Sequence, residues 1–276
     1  MPARANPLLH PPFLTPLTPP GPPPIIACAL SQTPPKLASC RFVPAEALRG
    51  QRWDPGYWFR VAGPAAWACA PLGDFIEKIT YGPIVTGQRP QPAASGVAII
   101  DQKALRPTGV VLGRAVTVAE GSVYDLPRCR LQRDDIVLAR SGAGTLAKKR
   151  FTVFREPVTA TVSCFVDLIR LRGISPRYVA TFLRSRPGWA QIERLINGVG
   201  TPNLSFDEIR SLQIPLLPAE DQAAVDAAWQ EVERLHAAGC LDEAGAALDA
   251  AVARLEERIG PEKELAHESR ESHEWR

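Results

Sequence analysis

The residues best suited to chemistry in this chain lie in one short segment, SGAGTLAKKR, which runs from Ser141 to Arg150. Small residues there let the backbone approach a ligand closely, and the cations at positions 148 to 150 can contact phosphate groups. The G-x-x-x-x-G-K-[ST] order of a Walker loop is absent. Gly142, Gly144 and Ala147 fit the looser G-x-G-x-x-A pattern, but a strand-like run at 151–154 follows where that pattern needs a helix. The segment therefore predicts either contacts to phosphates or a tight turn between strands with solvated lysines.

Two further loops and one strand end have side chains that can hydrogen-bond to nucleic-acid bases. Gln88 and Arg89 in the first loop are typical of adenine and guanine contacts. The second loop, NGVGTPN at 197–203, has two glycines that permit close approach, and its threonine and Asn203 can contact a base or a phosphate. Asn203 can equally cap the turn that follows. Arg140, at the end of a predicted strand, is a candidate for bidentate contact with guanine.

The sequence does not favour catalysis or metal binding. The histidines, at positions 10, 236, 267 and 273, fall in predicted tails or a helix, which disfavours a nucleophile or metal site. The six cysteines are scattered without a C-x-x-C pair, which argues against zinc and disulfides and favours a reducing cytoplasm. Glu77-Lys78 and Glu262-Lys263 lack the companion carboxylates of a metal-dependent nuclease. We therefore expect a non-enzymatic protein without catalytic residues, metal or cofactor.

The charge of the chain is unevenly distributed. The overall net charge is only +3, but residues 1–70 have a net charge of +4, residues 71–217 of +8 and residues 218–276 of −9. A basic middle followed by an acidic helical segment is typical of a polyanion-binding domain joined to a protein-docking element. Solubilising basic surfaces are also common, so the charge alone leaves both interpretations open.

Composition divides the chain into five segments. Residues 1–40 hold twelve of the 28 prolines and are expected to be a disordered extension. Residues 41–70 form an aromatic-rich lead-in, and residues 71–217 form a basic central domain. Residues 218–259 have helical periodicity, and residues 260–276 are polar and predicted to be a disordered tail.

Local signals within these segments predict individual strands and helices. Strands are predicted at 96–100, 136–139, 151–154 and 162–171. A helix is predicted to begin at Ser175-Pro176 and to break at Pro187-Gly188, and a capping box is predicted at 205–208. The last segment predicts a helical hairpin that turns at Gly239. Its second helix has a heptad-like seam of Leu241, Leu248, Val252, Leu255 and Ile259.

Several of these segments together resemble a known family. LQRDDIVLARSGAGT at 131–145 resembles an l-x-x-G-D-I-L-x-s-r-x-G-t-x-G signature, with Asp134 where glycine is usual. INGVGTPNLS stands before IRSLQIPLLPAEDQ, PLGD opens at Pro71, and RWDPGYW at 52–58 resembles an R-x-D-x-x-Y-[YW] stretch. These features resemble a target-recognition domain in the specificity subunits of type I restriction-modification systems.

The resemblance implies an α+β fold. A mixed α/β target-recognition domain with a β-rich core, at 71–217, would bind DNA and would be followed by a C-terminal α-helical hairpin or coiled coil at 218–259. It also implies that the chain makes a sequence-specific contact with double-stranded DNA and has no catalysis of its own. Such a subunit directs an adenine methyltransferase, and in restricting systems a nuclease-translocase, to its target. The residues expected to contact DNA are Gln88, Arg89, Arg140, Ser141, Thr145, Lys148, Lys149, Arg150, Thr201 and Asn203.

The chain departs from this family in one respect, because members usually have two recognition domains and this sequence has room for one without an internal repeat. A half-subunit could form a homodimer through 218–259, and twofold symmetry then predicts an interrupted palindromic target. One product of a split gene is a second interpretation of the single domain. Two alternatives to a specificity subunit stay open, namely a truncated interaction protein that binds the modification subunit without productive DNA targeting, and an enzyme with an unrecognised site.

Overall fold

The computed structural model describes residues 67–142, 144–196 and 202–260. The predictions for residues 1–66, for the tail beyond 260 and for Thr201 lie outside the described residues. The described part is a mixed α/β domain with a β-rich core followed by a C-terminal helical hairpin, which confirms the predicted fold class. No helix among these residues is long and apolar enough to cross a membrane.

The strands and helices are numbered here in chain order. The strands of the described residues are β1 (Cys69–Pro71), β2 (Ile76–Tyr81), β3 (Val97–Ile100), β4 (Leu105–Arg106), β5 (Gly109–Val110), β6 (Val116–Val118), β7 (Ile136–Ala139), β8 (Phe151–Val153), β9 (Ala160–Val162), β10 (Val166–Leu171) and β11 (Gln213–Pro215). The α-helices are α1 (Pro176–Arg184), α2 (Arg186–Leu195), α3 (Phe206–Ser211), α4 (Ala219–Ala237) and α5 (Leu241–Ile259).

An antiparallel sheet in the order β2-β10-β7-β8 lies at the centre of the domain. Because side chains alternate along a strand, β10 presents Ile169 to one face and Leu168 to the other. Ile169 belongs to a core cluster shared with the helices, and Leu168 belongs to a second cluster shared with β9 and its neighbours. A second sheet, β6-β3-β9, covers that other face and pairs β3 with β9 in parallel. The central sheet is therefore buried on both sides.

The strand predicted at 162–171 is two strands in the structure. β9 ends at Val162, β10 begins at Val166, and Ser163 accepts from the amide of Val166 across the turn between them. The two strands serve different sheets, which the run of apolar residues could not show. The strands predicted near 96–100, 136–139 and 151–154 are confirmed, as β3, β7 and β8.

Side-chain caps define the helix ends. Ser175 accepts from the amide of Tyr178 and begins α1, as predicted. The predicted break at Pro187-Gly188 is wrong by two residues, because Ser185 ends α1 and also caps α2 by accepting from the Gly188 amide. Proline is tolerated in a first helical turn, so the Pro-Gly pair lies inside α2. The predicted capping box between Ser205 and Glu208 is confirmed at α3.

The predicted hairpin is confirmed, since α4 and α5 are 19 residues each and Gly239 turns the chain at φ +78°. The seam, however, is displaced from the prediction. The buried positions of α5 are Ala244, Leu248, Ala251, Leu255 and Ile259. Leu248, Leu255 and Ile259 belong to the core cluster of this one chain, whereas Leu241 is 41% exposed. A homodimer through 218–259 would therefore have to use another face of the hairpin.

His236, near the end of α4, joins the hairpin to the turn between β4 and β5. Its Nδ1 lies 2.9 Å from Thr108 Oγ1 and its Nε2 lies 3.2 Å from the carbonyl oxygen of Val110. Since a carbonyl only accepts, Nε2 carries the proton and donates. A Cβ at Gly109 would lie 2.7 Å from the imidazole ring, so the turn has room for the ring only with glycine there.

Candidate nucleic-acid interface

Arg140 follows β7 at one end of the central sheet. Its guanidinium lies 4.2 Å from the ring centroid of Tyr81 and 5.3 Å from that of Phe206. Nη1 lies 3.4 Å from Oδ1 of Asp167, which is a weak contact for an ion pair. The side chain is 26% exposed, and its Nε–Nη2 edge makes no hydrogen bond with any described residue. Two aromatic rings therefore orient Arg140 and leave its bidentate edge available.

Asp167, the partner of Arg140, is fully buried in β10. Its Oδ2 has no hydrogen-bond partner within the described part of the chain. Burial raises the pKa of this carboxyl to about 7, although the neighbouring Arg140 opposes the shift. The Asp167 carboxyl therefore holds its proton more readily than an ordinary aspartate.

The loop after β7 and the loop before α3 lie side by side. Ser141 and Asn203 form an isolated antiparallel bridge, and the amide of Gly142 donates to the carbonyl of Pro202 at 2.9 Å. The hydroxyl of Thr145 donates to the Ser141 carbonyl and closes the first loop on itself. The structure therefore brings together Ser141, Thr145 and Asn203, three of the residues that the sequence predicts at the interface.

Gln102 connects this pair of loops to the rest of the edge. Its Nε2 donates to the carbonyl of Ser141 at 2.9 Å and to the carbonyl of Phe165 at 3.0 Å. Its own backbone carbonyl accepts from Nη1 of Arg150 at 3.3 Å. Phe165 is 58% exposed at the tip between β9 and β10, and its carbonyl also accepts from the amide of Arg140. One glutamine thus fixes three backbone segments that are distant in the sequence.

Arg106, Arg114 and Arg150 form a basic cluster beside Gln102. The pKa of Arg106 is lowered by burial first and then by the positive charges of Arg114 and Arg150. Nη1 of Arg106 also donates to the carbonyl of Leu105 at 2.9 Å. Among the described residues, no carboxylate forms an ion pair with any of the three arginines. Like charges held together without a counter-charge favour the binding of an anion.

The two lysines after the loop differ in their surroundings. Lys148 is exposed, whereas Lys149 donates from Nζ to the carbonyl of Arg184 at 3.1 Å and lies 4.9 Å from the ring centroid of Trp189. Burial lowers the pKa of Lys149, and the charge of Arg184 lowers it further. Lys149 therefore connects the loop to α1 and α2, and Lys148 is the freer of the two to meet a ligand.

Arg184 closes this side of the loop from within the core. It donates to the backbone carbonyls of Lys149, Pro107 and Phe151, and its guanidinium lies 4.1 Å from the Phe151 ring centroid. Burial lowers its pKa to about 9. These contacts hold the β4–β5 turn against β8, which positions Arg106 within the basic cluster.

Gln88 and Arg89 lie in an exposed loop that approaches Phe165 from the other side. The hydroxyl of Tyr124 donates to the Gln88 carbonyl at 2.8 Å. Gln88, Tyr124 and Phe165 line the same cavity of about 260 Å³, which also contains Val116. The first predicted loop therefore lies near the Phe165 tip, on the same edge as the two bridged loops.

Sequence reasoning missed Gln102, Arg106, Arg114 and Phe165. All four lie in short elements of two or three residues or in connecting turns, where no periodic pattern marks them. The one available signal was the excess of cations over carboxylates between 101 and 114. No group of three or more possible metal ligands occurs among the residues that the structure describes.

Comparison with known proteins gives matches to solved structures only. No protein-family profile matches the chain, and no curated protein matches it. A structure from work on complex assembly and conformational transition of the type I R-M system matches at 14% identity and a TM-score of 0.46, covering 72% of this chain and 46% of that one. The S subunit of a type I restriction-modification system from M. genitalium matches at 12% identity and a TM-score of 0.42, covering 62% and 41%. The HsdS subunit from Thermoanaerobacter tengcongensis matches at 16% identity and a TM-score of 0.42, covering 72% and 45%. The chain spans less than half the length of each of these three chains.

Proposed function

We propose that this chain binds double-stranded DNA at a specific sequence, as the specificity subunit of a type I restriction-modification system. The observation that carries the proposal is the edge organised by Gln102. There, a basic cluster that pairs with no carboxylate of the described residues adjoins two bridged loops and an exposed aromatic side chain. The resemblance of 131–145 and 176–222 to this family supports the same conclusion.

The two parts of the edge have different roles in this proposal. Arg106, Arg114 and Arg150 contact the DNA backbone, because guanidinium groups bind phosphates regardless of sequence. Lys148 adds a further phosphate contact, and Lys149 supports the loop. Base recognition falls to the side chains around the bridged loops, which are Gln88, Arg89, Arg140, Ser141, Thr145, Thr201 and Asn203.

Arg140 is the side chain whose geometry can be related to one base. Arginine recognises guanine through two parallel hydrogen bonds to O6 and N7. The stacking of Arg140 on Tyr81 restricts its rotamers, so less entropy is lost when the Nε–Nη2 edge meets a base. Lysine at this position would keep the charge and lose the planar fork.

The chain has no catalytic role in this proposal. It delivers an adenine methyltransferase, and in a restricting system a nuclease-translocase, to the target in the cytoplasm. The acidic helical segment from 218 onward has the charge of a protein-docking element rather than of a DNA-binding one.

Binding of the protein to a random duplex library tests the DNA contact. We expect enrichment of one sequence, with binding that weakens as salt rises. Alanine at Arg106, Arg114 or Arg150 should lower the salt slope by about 0.9 per lost phosphate contact without changing the enriched sequence. Arg140→Lys should instead relax one base position by about 1–3 kcal/mol. Arg254→Ala, on the exposed face of α5, is the matched control. Absence of any enriched sequence would overturn the proposal.

Co-expression with a type I methyltransferase subunit tests the delivery. Long-read sequencing of host DNA should then show new methylated adenine at one motif. A palindromic interrupted motif indicates two copies of this chain, and an asymmetric motif indicates a second recognition chain. A stable complex without new methylation would contradict the specificity role and favour a non-targeting interaction protein.

A further inference from the structure

A second basic concavity lies away from the Gln102 edge. It is an open cleft of about 590 Å³, here named the rear cleft, and its lining includes four cations, Lys78, Arg130, Arg133 and Arg170. They come from β2, from the turns between β6 and β7, and from β10. Cations from three segments that converge on one concavity form a more defined site than cations along a single helix face.

The rear cleft and Arg140 are on opposite faces of the central sheet. Lys78 pairs with Arg170 in the β2–β10 register, on the face that Leu168 shares with the second core cluster. Arg140 stacks on Tyr81 and Phe206, on the face that contacts the helices. The Cα atoms of Asp167 and Arg170 are also about 10 Å apart along the strand. A ligand in the rear cleft therefore does not occupy the site around Arg140.

Two of the three guanidinium groups are fixed in place. Nε and Nη2 of Arg170 donate to the two carboxylate oxygens of Asp135, both at 2.8 Å. Nε and Nη2 of Arg130 donate to those of Asp125 at 2.8 and 2.6 Å. Both carboxylates are 1% exposed, and each also accepts from a backbone amide. They therefore lie behind the arginines and clamp them in one orientation.

The clamps leave one edge of each arginine unused. Nη1 of Arg130 and Nη1 of Arg170 make no hydrogen bond with a described residue. A guanidinium that is already immobilised loses little rotamer entropy when it binds a ligand. The carboxylates neutralise much of the local charge, but they cannot donate or accept in the cleft because they are buried.

The other two cations are not clamped. Neither Lys78 nor Arg133 forms an ion pair with any described carboxylate, and Arg133 is exposed. Glu156 is the one carboxylate in the lining itself. The cleft thus combines two fixed donor edges with two mobile cations. A tetrahedral anion suits this arrangement, because its oxygens accept from several directions at once.

We infer that the rear cleft binds a phosphate-bearing ligand through Arg130 and Arg170, with Lys78 and Arg133 closing on it. The phosphate belongs either to a nucleic-acid backbone that reaches this face or to a free polyphosphate. Both sources present the same phosphate oxygens to the same donors. If the ligand is a nucleic-acid backbone, duplex DNA competes with it for the cleft, and if the ligand is a free polyphosphate, duplex DNA does not.

Titration calorimetry of the full chain with pyrophosphate tests the inference. We expect saturable binding that the double variant Lys78→Ala, Arg133→Ala weakens by roughly tenfold or more. This variant leaves both clamps intact, and an unchanged urea midpoint shows that the fold is kept. Arg254→Ala is the control for loss of one exposed cation. Absence of saturable binding, or binding that the double variant does not weaken, would overturn the inference.

Competition then identifies the source of the phosphate. Displacement of pyrophosphate by duplex DNA supports a backbone ligand, and retention of pyrophosphate in excess DNA supports a free polyphosphate. Both experiments are repeated in the Arg106→Ala, Arg114→Ala, Arg150→Ala variant. Pyrophosphate binding should persist there, so failure of the proposed DNA interface and failure of the rear cleft are distinguishable.

Discussion

The buried carboxyl of Asp167 makes the stability of the fold depend on pH. Its pKa is about 7 in the folded chain against an ordinary value of 3.8, so the folded state retains a proton that the unfolded chain releases. The contribution of this carboxyl to the free energy of unfolding is therefore complete below about pH 4 and is lost as pH rises through about 7. The shift corresponds to a loss of up to about 4 kcal/mol. Asp167→Asn removes the titration and keeps the shape of the side chain. Only the wild type should therefore lose this stability as pH rises. The difference in the free energy of unfolding, variant minus wild type, should rise by up to about 4 kcal/mol between about pH 4 and about pH 8.

Urea unfolding of both proteins at these two pH values measures the effect. Asp125→Asn is the matched control, because the hydrogen bond from Arg130 lowers the pKa of Asp125. The stability that Asp125 contributes is present above its ordinary pKa and is lost as pH falls, so its variant should lose stability at neutral pH. A variant-minus-wild-type difference for Asp167→Asn that is equal at both pH values, or smaller at high pH, would refute the reasoning.

Two further predictions concern packing and are measured by urea unfolding at one pH. Leu255→Ala should destabilise the monomer by about 2–5 kcal/mol, because the side chain is buried within the chain. Leu241→Ala, at the exposed start of the same helix, should cost less than about 1 kcal/mol. Equal losses of stability in the two variants would mean that Leu241 and Leu255 are buried alike, as the heptad pattern predicted. Gly82→Ala should destabilise by about 3 kcal/mol, since its Cβ would lie 1.9 Å from the Val162 carbonyl oxygen. Gly113→Ala meets no atom within 4 Å and should change stability by less than about 0.5 kcal/mol. A neutral Gly82→Ala would contradict the close approach of the two segments.

The elements that the sequence predicted well are those with local signals. The capping box at Ser205 and Glu208 depends on four consecutive residues, and the turn at Gly239 depends on a change of helical phase on its two sides. Asp134, where the family signature has glycine, adopts φ +75°, a conformation that aspartate tolerates better than most residues. Each of these features requires no knowledge of distant residues.

The features that the sequence did not predict depend on distant contacts. The division of 162–171 into two strands follows from β9 pairing with β3 while β10 pairs with β2 and β7. The seam of α5 is set by what α1 and α4 bury against it rather than by its own spacing. At the candidate interface, Gln102 contacts Phe165 across 63 residues of sequence, and no local pattern indicates that pair.

The contact between His236 and the β4–β5 turn has a mechanical consequence. Thr108 and Val110 hold the imidazole on the two sides of Gly109, so one side chain ties the β4–β5 turn to the end of α4. Arg106, at the start of that turn, belongs to the basic cluster. Loss of the imidazole would therefore release the turn that carries this arginine from the helical hairpin, although His236 is distant from it in the sequence.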